Sequence, residues 1–96
     1  MVMKDNAEKY YLYEYDSNLN LISDEWYNSS DDLEYKIETE YDNEGDKIAS
    51  NSYNGNGTLI SKYIFRYDDK KNLIEEQKYD NDGKPVGIIQ YLYKYY

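Results

Sequence analysis

The sequence predicts an all-β fold, a seven-stranded antiparallel meander of repeated β-hairpins in one open, twisted or coiled sheet. Three observations predict it. Tyr-Asp pairs fall at Tyr15-Asp16, Tyr41-Asp42 and Tyr67-Asp68, 26 residues apart, and Tyr93 continues the series. A second set, Tyr27-Asn28, Tyr53-Asn54 and Tyr79-Asp80, follows 12 residues after each of these pairs. Between the anchors, short polar spacers separate runs with a side-chain period of two, the signature of strands. Repetition at such a period marks an array of one supersecondary unit.

Residues 1–8 read as a polar lead-in, and 9–96 as a single hairpin-repeat domain. Strands are expected at about 9–15, 21–27, 33–41, 47–53, 59–67, 73–79 and 85–95. Each anchor is followed by four spacer residues and then a strand opener: Leu21, Leu33, Lys47, Leu59, Leu73 or Pro85. The spacers are turn chemistry, as in Asp42-Asn43-Glu44-Gly45-Asp46. The Asp or Asn side chain bonds the backbone two residues on, and Gly at the fourth position accepts a left-handed conformation; together they specify a type I turn with a glycine bulge. Gly45, Gly57 and Gly83 occupy that position in three turns. Leu19, Asp31 and Lys71 occupy it in the others, and those turns are expected to be looser or strained. Every connection is too short for a crossover, so sequential strands must be antiparallel neighbours.

The bulged turn sets Tyr41 opposite Lys47, and carrying that register through the chain puts odd-numbered residues on one face. That face would hold Tyr11, Tyr13, Tyr35, Tyr63, Phe65, Tyr91 and Tyr93, among others. Ile22, Trp26, Ile48, Ile60, Ile74 and Ile88 would share the opposite face with the strand charges. A four-residue loop instead would flip alternate strands and scramble both lists. Neither face is then cleanly apolar, which implies a sheet half-wet on both sides or one coiled with its Tyr face concave.

Composition sets the bounds. Ninety-six residues make one small domain with 15 Tyr, 1 Trp, 1 Phe and a net charge of −9. Leu, Ile, Val and Phe total only 18 residues, which with such charge would point to disorder. Tyr reverses that reading, because it favours strands and buries a large ring while keeping its hydroxyl wet. No Cys is present, so disulfides and zinc-thiolate sites are excluded, and no His, the usual general base and metal ligand. Nothing implies a cofactor or metal. A pI near 4.3 argues against nucleic acid and anionic membrane as partners. No apolar run reaches the length of a membrane span, and the start lacks an apolar signal core, which points to the cytoplasm unless a signal has been trimmed, in which case the protein is secreted.

The Tyr-Asp-x-x-Gly unit, as in Tyr41-Asp42-Asn43-Glu44-Gly45-Asp46-Lys47-Ile48 and Tyr79-Asp80-Asn81-Asp82-Gly83, resembles the YD repeats of Rhs-type and teneurin-type proteins. It is similar, more loosely, to MORN-like hairpin repeats. The resemblance covers roughly 9–96 and implies a β-hairpin array with no catalytic residue. Large Rhs proteins build long β shells, for which this chain has too few repeats.

Several patterns have a plain structural account. Carboxylate pairs such as Asp31-Asp32 and Glu75-Glu76 could serve a glycosidase only across a cleft, which a small sheet does not offer. The acidic turns place oxygens at alternate positions like calcium loops, but lack the later bidentate Glu, and the same letters specify a hairpin. Asn54-Gly55-Asn56-Gly57 lacks the helix start and Lys of a phosphate loop.

What remains is binding. The sequence is read as a non-catalytic protein-binding module, of the inhibitor or immunity type, whose Tyr-rich acidic surface meets a basic protein partner. Tyr91, Tyr93 and Tyr95 in the aromatic C-terminal run are its candidate contacts, with Trp26 and Tyr63. The C-terminal run is expected to act as an edge strand, and the edge strands offer a route to self-association. The alternative is a carbohydrate-binding module stacking sugars on exposed Tyr; an enzyme is the least favoured class.

Overall fold

The computed structural model describes residues 9–94, and they form one seven-stranded antiparallel sheet without a helix. The strands are β1 (Tyr10–Tyr15), β2 (Leu21–Tyr27), β3 (Leu33–Tyr41), β4 (Lys47–Asn54), β5 (Leu59–Tyr67), β6 (Leu73–Tyr79) and β7 (Pro85–Gln90). Their order in the sheet is their order in the chain, so β1 and β7 are the free edges. The sheet is open, with extents of 55 × 32 × 23 Å and a radius of gyration of 16.4 Å. A compact domain of this length would have a radius of roughly 12 Å. The lead-in at 1–8 lies outside the described residues.

All six turns are built alike. The anchor Asp or Asn accepts a backbone N–H from the residue three on and donates its own to the carbonyl four on, as Asp42 does with Gly45 (3.1 Å) and Asp46 (2.9 Å). Its side-chain Oδ1 accepts two further backbone N–H groups, from Glu44 and Asp46 in that turn, both at 2.9 Å. Gly45, Gly57 and Gly83 have φ of 89°, 87° and 79°. Leu19, Asp31 and Lys71 adopt the same conformation at 65°, 68° and 68°. These three turns are not looser: they close on the same bonds at 2.9–3.1 Å. The Asx cap and the two flanking strands hold the residue in place, at a conformational cost of about 1 kcal/mol for a non-glycine.

The register differs from the sequence expectation one step inside each turn. Tyr41 does face Lys47, but Glu40 faces Ala49, leaving Ile48 as an extra residue. The same bulge leaves Ile22, Glu34, Ile60, Ile74 and Val86 extra in the other hairpins. One extra residue reverses side-chain parity, because the strand period is two. Odd residues of β1, β3, β5 and β7 therefore share a face with even residues of β2, β4 and β6. Face A carries Tyr11, Tyr13, Trp26, Tyr35, Ile37, Ser52, Tyr63, Phe65 and Ile89; face B carries Tyr10, Glu25, Lys36, Ala49, Lys62, Ile64 and Ile88.

Among the described residues only Ala49, Ser23 and Ser52 are buried, and no large side chain is. A single sheet has no second layer to cover it, so rings and long side chains shelter small central residues while staying half-wet themselves. The last strand also ends sooner than expected. β7 stops at Gln90, and one more backbone bond, Tyr91 N–H to the Ile74 carbonyl at 2.9 Å, continues the pairing.

Candidate binding surface

The parity reversal builds an aromatic row. Tyr11 of β1 faces Trp26 of β2, which faces Tyr35 of β3, so three rings line up across three strands of face A. Tyr11 meets the indole edge-on at 5.9 Å between centroids, and Tyr35 lies tilted against it at 4.9 Å. Tyr13 extends the patch along β1, 6.4 Å from Tyr11. Edge-on and offset contacts suit the ring quadrupoles, so the cluster holds its own shape. Trp26 is 39% exposed and Tyr11 50%. The indole N–H donates to Asp24 Oδ1 at 2.9 Å, which fixes the ring and sets a carboxylate beside it. A shallow recess of about 370 Å³ opens here, lined by Lys9, Tyr11, Trp26, Tyr27, Glu34 and Tyr35.

Tyr63 shares this face but not this patch. It lies on β5, with β3 and β4 between it and Trp26, a separation of roughly 14 Å at normal strand spacing. Its ring stacks beside Phe65 at 6.4 Å, with Lys78 Nζ over it at 5.7 Å and Lys47 Nζ over Phe65 at 5.2 Å. Cations covering both rings leave less aromatic surface for a partner.

The C-terminal tyrosines are engaged within the sheet. The Tyr91 hydroxyl donates to Glu76 Oε2, and that bond, followed by burial, raises the phenol above its ordinary pKa. The Tyr93 hydroxyl donates to the Leu73 carbonyl. Tyr93 is still 46% exposed, so its ring remains on the surface while its hydroxyl does not. Tyr95 lies outside the described residues.

On face B, Tyr10 stacks flat on Tyr27 at 4.8 Å and donates its hydroxyl to Asp31 Oδ1 at 2.7 Å. The Asp31 bond, with a little burial, holds the Tyr10 phenol at about 12. A wider acidic hollow of about 660 Å³ lies between the turns at 42–46 and 68–72, lined by Asp42, Glu44, Asp46, Asp68 and Asp69 among others. Lys71 spans it to Glu44 at 3.0 Å. The anchor carboxylates Asp42, Asp68 and Asp80 already accept turn amides, and among the described residues no three carboxylates converge as a metal site would require.

Tyr11, Tyr13 and Tyr35 were not linked to Trp26 by sequence reasoning. The signal was present: openers followed at once by a second aliphatic residue, as in Leu21-Ile22, Leu59-Ile60 and Leu73-Ile74, break the alternation where a bulge inserts. Comparison with protein-family models, curated proteins and solved structures returns no match.

Proposed function

We propose that this chain is a non-catalytic protein-binding module, of the inhibitor or immunity type, that docks a basic protein through the Tyr11–Trp26–Tyr35 row. The observation that carries the reading is that row itself: three large, pre-ordered, half-exposed rings on an open face. Such rings supply contact area at little entropic cost, and a few of them dominate typical interfaces. The net charge of −9 steers a basic partner to the surface and acts mainly on the association rate. The likeness of the hairpin unit to YD repeats fits a scaffold that displays surface rather than one that performs chemistry. Trp26 takes precedence over Tyr91 and Tyr93, whose hydroxyls are spent on Glu76 and Leu73.

The test is to isolate the protein partner by affinity capture from the native source and measure its binding to Trp26→Ala and Tyr91→Ala by calorimetry. Variants are kept only where the far-ultraviolet spectrum stays native. Trp26→Ala should cost about 2 kcal/mol, roughly a thirtyfold loss, and Tyr91→Ala less. Unchanged affinity in a folded Trp26→Ala variant rejects this surface. The Asp24 carboxylate held beside the indole favours a second reading, a sugar stacked on Trp26 with its hydroxyls on Asp24. Trp26 is the sole tryptophan, so its fluorescence reports directly on oligosaccharides added in place of the protein. Saturable quenching there, with no protein captured, would establish the sugar reading instead.

A further inference from the structure

The free edge at β7 differs from every other strand. Pro85-Val86-Gly87-Ile88-Ile89-Gln90 carries no charge, while each of β1 to β6 carries at least one. All six of its residues are exposed, with Val86, Ile88 and Ile89 each more than half open to solvent on alternate faces. Proteins commonly blunt such an edge with charge, a bulge or a proline. Here the bulge at Val86 and the proline at Pro85 sit at the start of the strand, and nothing blunts it from Gly87 to Gln90. Tyr91 N–H bonds the Ile74 carbonyl of β6, so by strand alternation the backbone of residues 87 and 89 also points inward. The Lys84 carbonyl points inward to the Asp80 N–H and Val86 is the bulge residue, so Pro85 faces outward and the regular outer row is that of Ile88 and Gln90.

We infer that β7 is the self-pairing edge of a two-fold dimer, in which a second copy of this chain adds its own β7 antiparallel and centred on Ile88. In that register Ile88 faces Ile88 and the pair exchanges two backbone hydrogen bonds, while Gln90 of each copy lies beside the bulge at Val86 of the other. On face A, Ile89 of one copy comes opposite Gly87 of the other. Gly87 is the strand's one gap: a methyl group there would meet nothing within 4 Å, and the opposing isoleucine fills the space. Charge selects this partner. Two copies at −9 repel wherever acidic strands meet, and at β7 no charges are opposed. The other edge, β1, carries Glu14, which self-pairing would set near its own copy. Because the contact uses the same strand twice, it closes at two copies and leaves both β1 edges and both Tyr11–Trp26–Tyr35 rows outside.

Sedimentation equilibrium of the whole chain over a concentration series tests this, together with Ile88→Lys, Tyr13→Lys and Ile88→Cys. The wild type should approach the dimer mass. Ile88→Lys, which sets two ammonium groups face to face, should raise the dimer Kd about tenfold or more, and Tyr13→Lys on β1 should leave it unchanged. The chain has no cysteine, so mild oxidation of Ile88→Cys should give one covalent dimer through the central pair, whose Cα spacing of about 5.5 Å permits a disulfide. Oxidation yields this readout even if Ile88→Lys fails to fold. A monomeric wild type, a folded Ile88→Lys that still dimerises normally, or no cross-link at position 88 overturns the inference. So does growth beyond two copies, which would mean β7 pairs with β1.

Discussion

The two ends of the sheet are made from the same turn yet joined differently. The turns at 16–20, 42–46 and 68–72 lie at one end, and those at 28–32, 54–58 and 80–84 at the other. At the first end, tyrosine hydroxyls close the seams between hairpins: Tyr41 donates to the Leu21 carbonyl at 2.8 Å and Tyr67 to the Lys47 carbonyl at 2.6 Å. Tyr93 does the same to Leu73, so each bond spans 20 residues. At the second end, neither Tyr53 nor Tyr79 makes the matching bond to Leu33 or Leu59 among the described residues. There the chain approaches directly: a Cβ on Gly55 would sit 2.1 Å from the Leu33 carbonyl oxygen. Identical turns thus leave the seam to be closed by whatever reaches it, a phenol at one end and bare backbone at the other.

Gly55→Ala should break the second end most severely. The added methyl meets backbone on β3, which cannot rotate away as a side chain could. The expected loss is about 2–3 kcal/mol, read as a lower urea midpoint. Gly87→Ala, where the space is open in the single chain, is its control and, titrated at a concentration that keeps the chain monomeric, should change the midpoint little. Equal midpoints for the two variants would mean that the β3–β4 seam yields, and that the ends differ less than their geometry states.

Removing single hydroxyls should separate the ends next. Tyr41→Phe and Tyr67→Phe each lose a bond to a backbone carbonyl and should cost about 1 kcal/mol. Tyr53→Phe removes a hydroxyl with no such bond and should be close to neutral. The measurement is the same urea titration. A Tyr53→Phe variant as damaged as Tyr41→Phe would show that ring burial, rather than the hydroxyl tie, holds these tyrosines in place.

Much of this was legible in the sequence, and the part that was not has a definite cause. Asp42 through Gly45 specify the turn so locally that all six turn spans, and six of the seven strands to within about a residue, follow from spacing alone. Even Leu19 and Lys71 are drawn into the left-handed conformation, because the Asx cap outweighs their preference. The faces were misassigned because Ile48 and its equivalents insert one residue after the turn, where hydrogen bonding between strands and not local chemistry decides. That slip put Trp26 on the wrong side from Tyr11 and Tyr35. The early end of β7 has a similar origin: Tyr91 and Tyr93 read as alternating strand residues, yet past Tyr91 the chain is tied by the Tyr93 hydroxyl rather than by the ladder.

The finest difference between the ends is titratable. The first end is capped by Asp16, Asp42 and Asp68, while two of the second end's caps are Asn28 and Asn54. Asp16 and Asp68 are held below the ordinary 3.8, first by the backbone N–H of Asn20 and of Asn72, at 2.9 and 2.8 Å. A lowered folded pKa means that the unfolded chain takes up the proton first. The stabilisation from these caps is therefore complete above pH 3.8 and is lost as the pH falls from there through the lower folded values. Asn28 and Asn54 carry no proton to gain. Following backbone amides by NMR from neutral to acid pH should show the Asn20 and Asn72 signals moving with midpoints below 3.8. The Ser30 and Thr58 amides, held by Asn28 and Asn54 at 2.9 and 3.1 Å, should keep their bonds over the same range. Simultaneous loss at both ends would show that the sheet opens as a whole in acid, with the caps following rather than leading. Loss at the first end alone would make pH a handle on one set of seams, leaving the Gly55 seam closed.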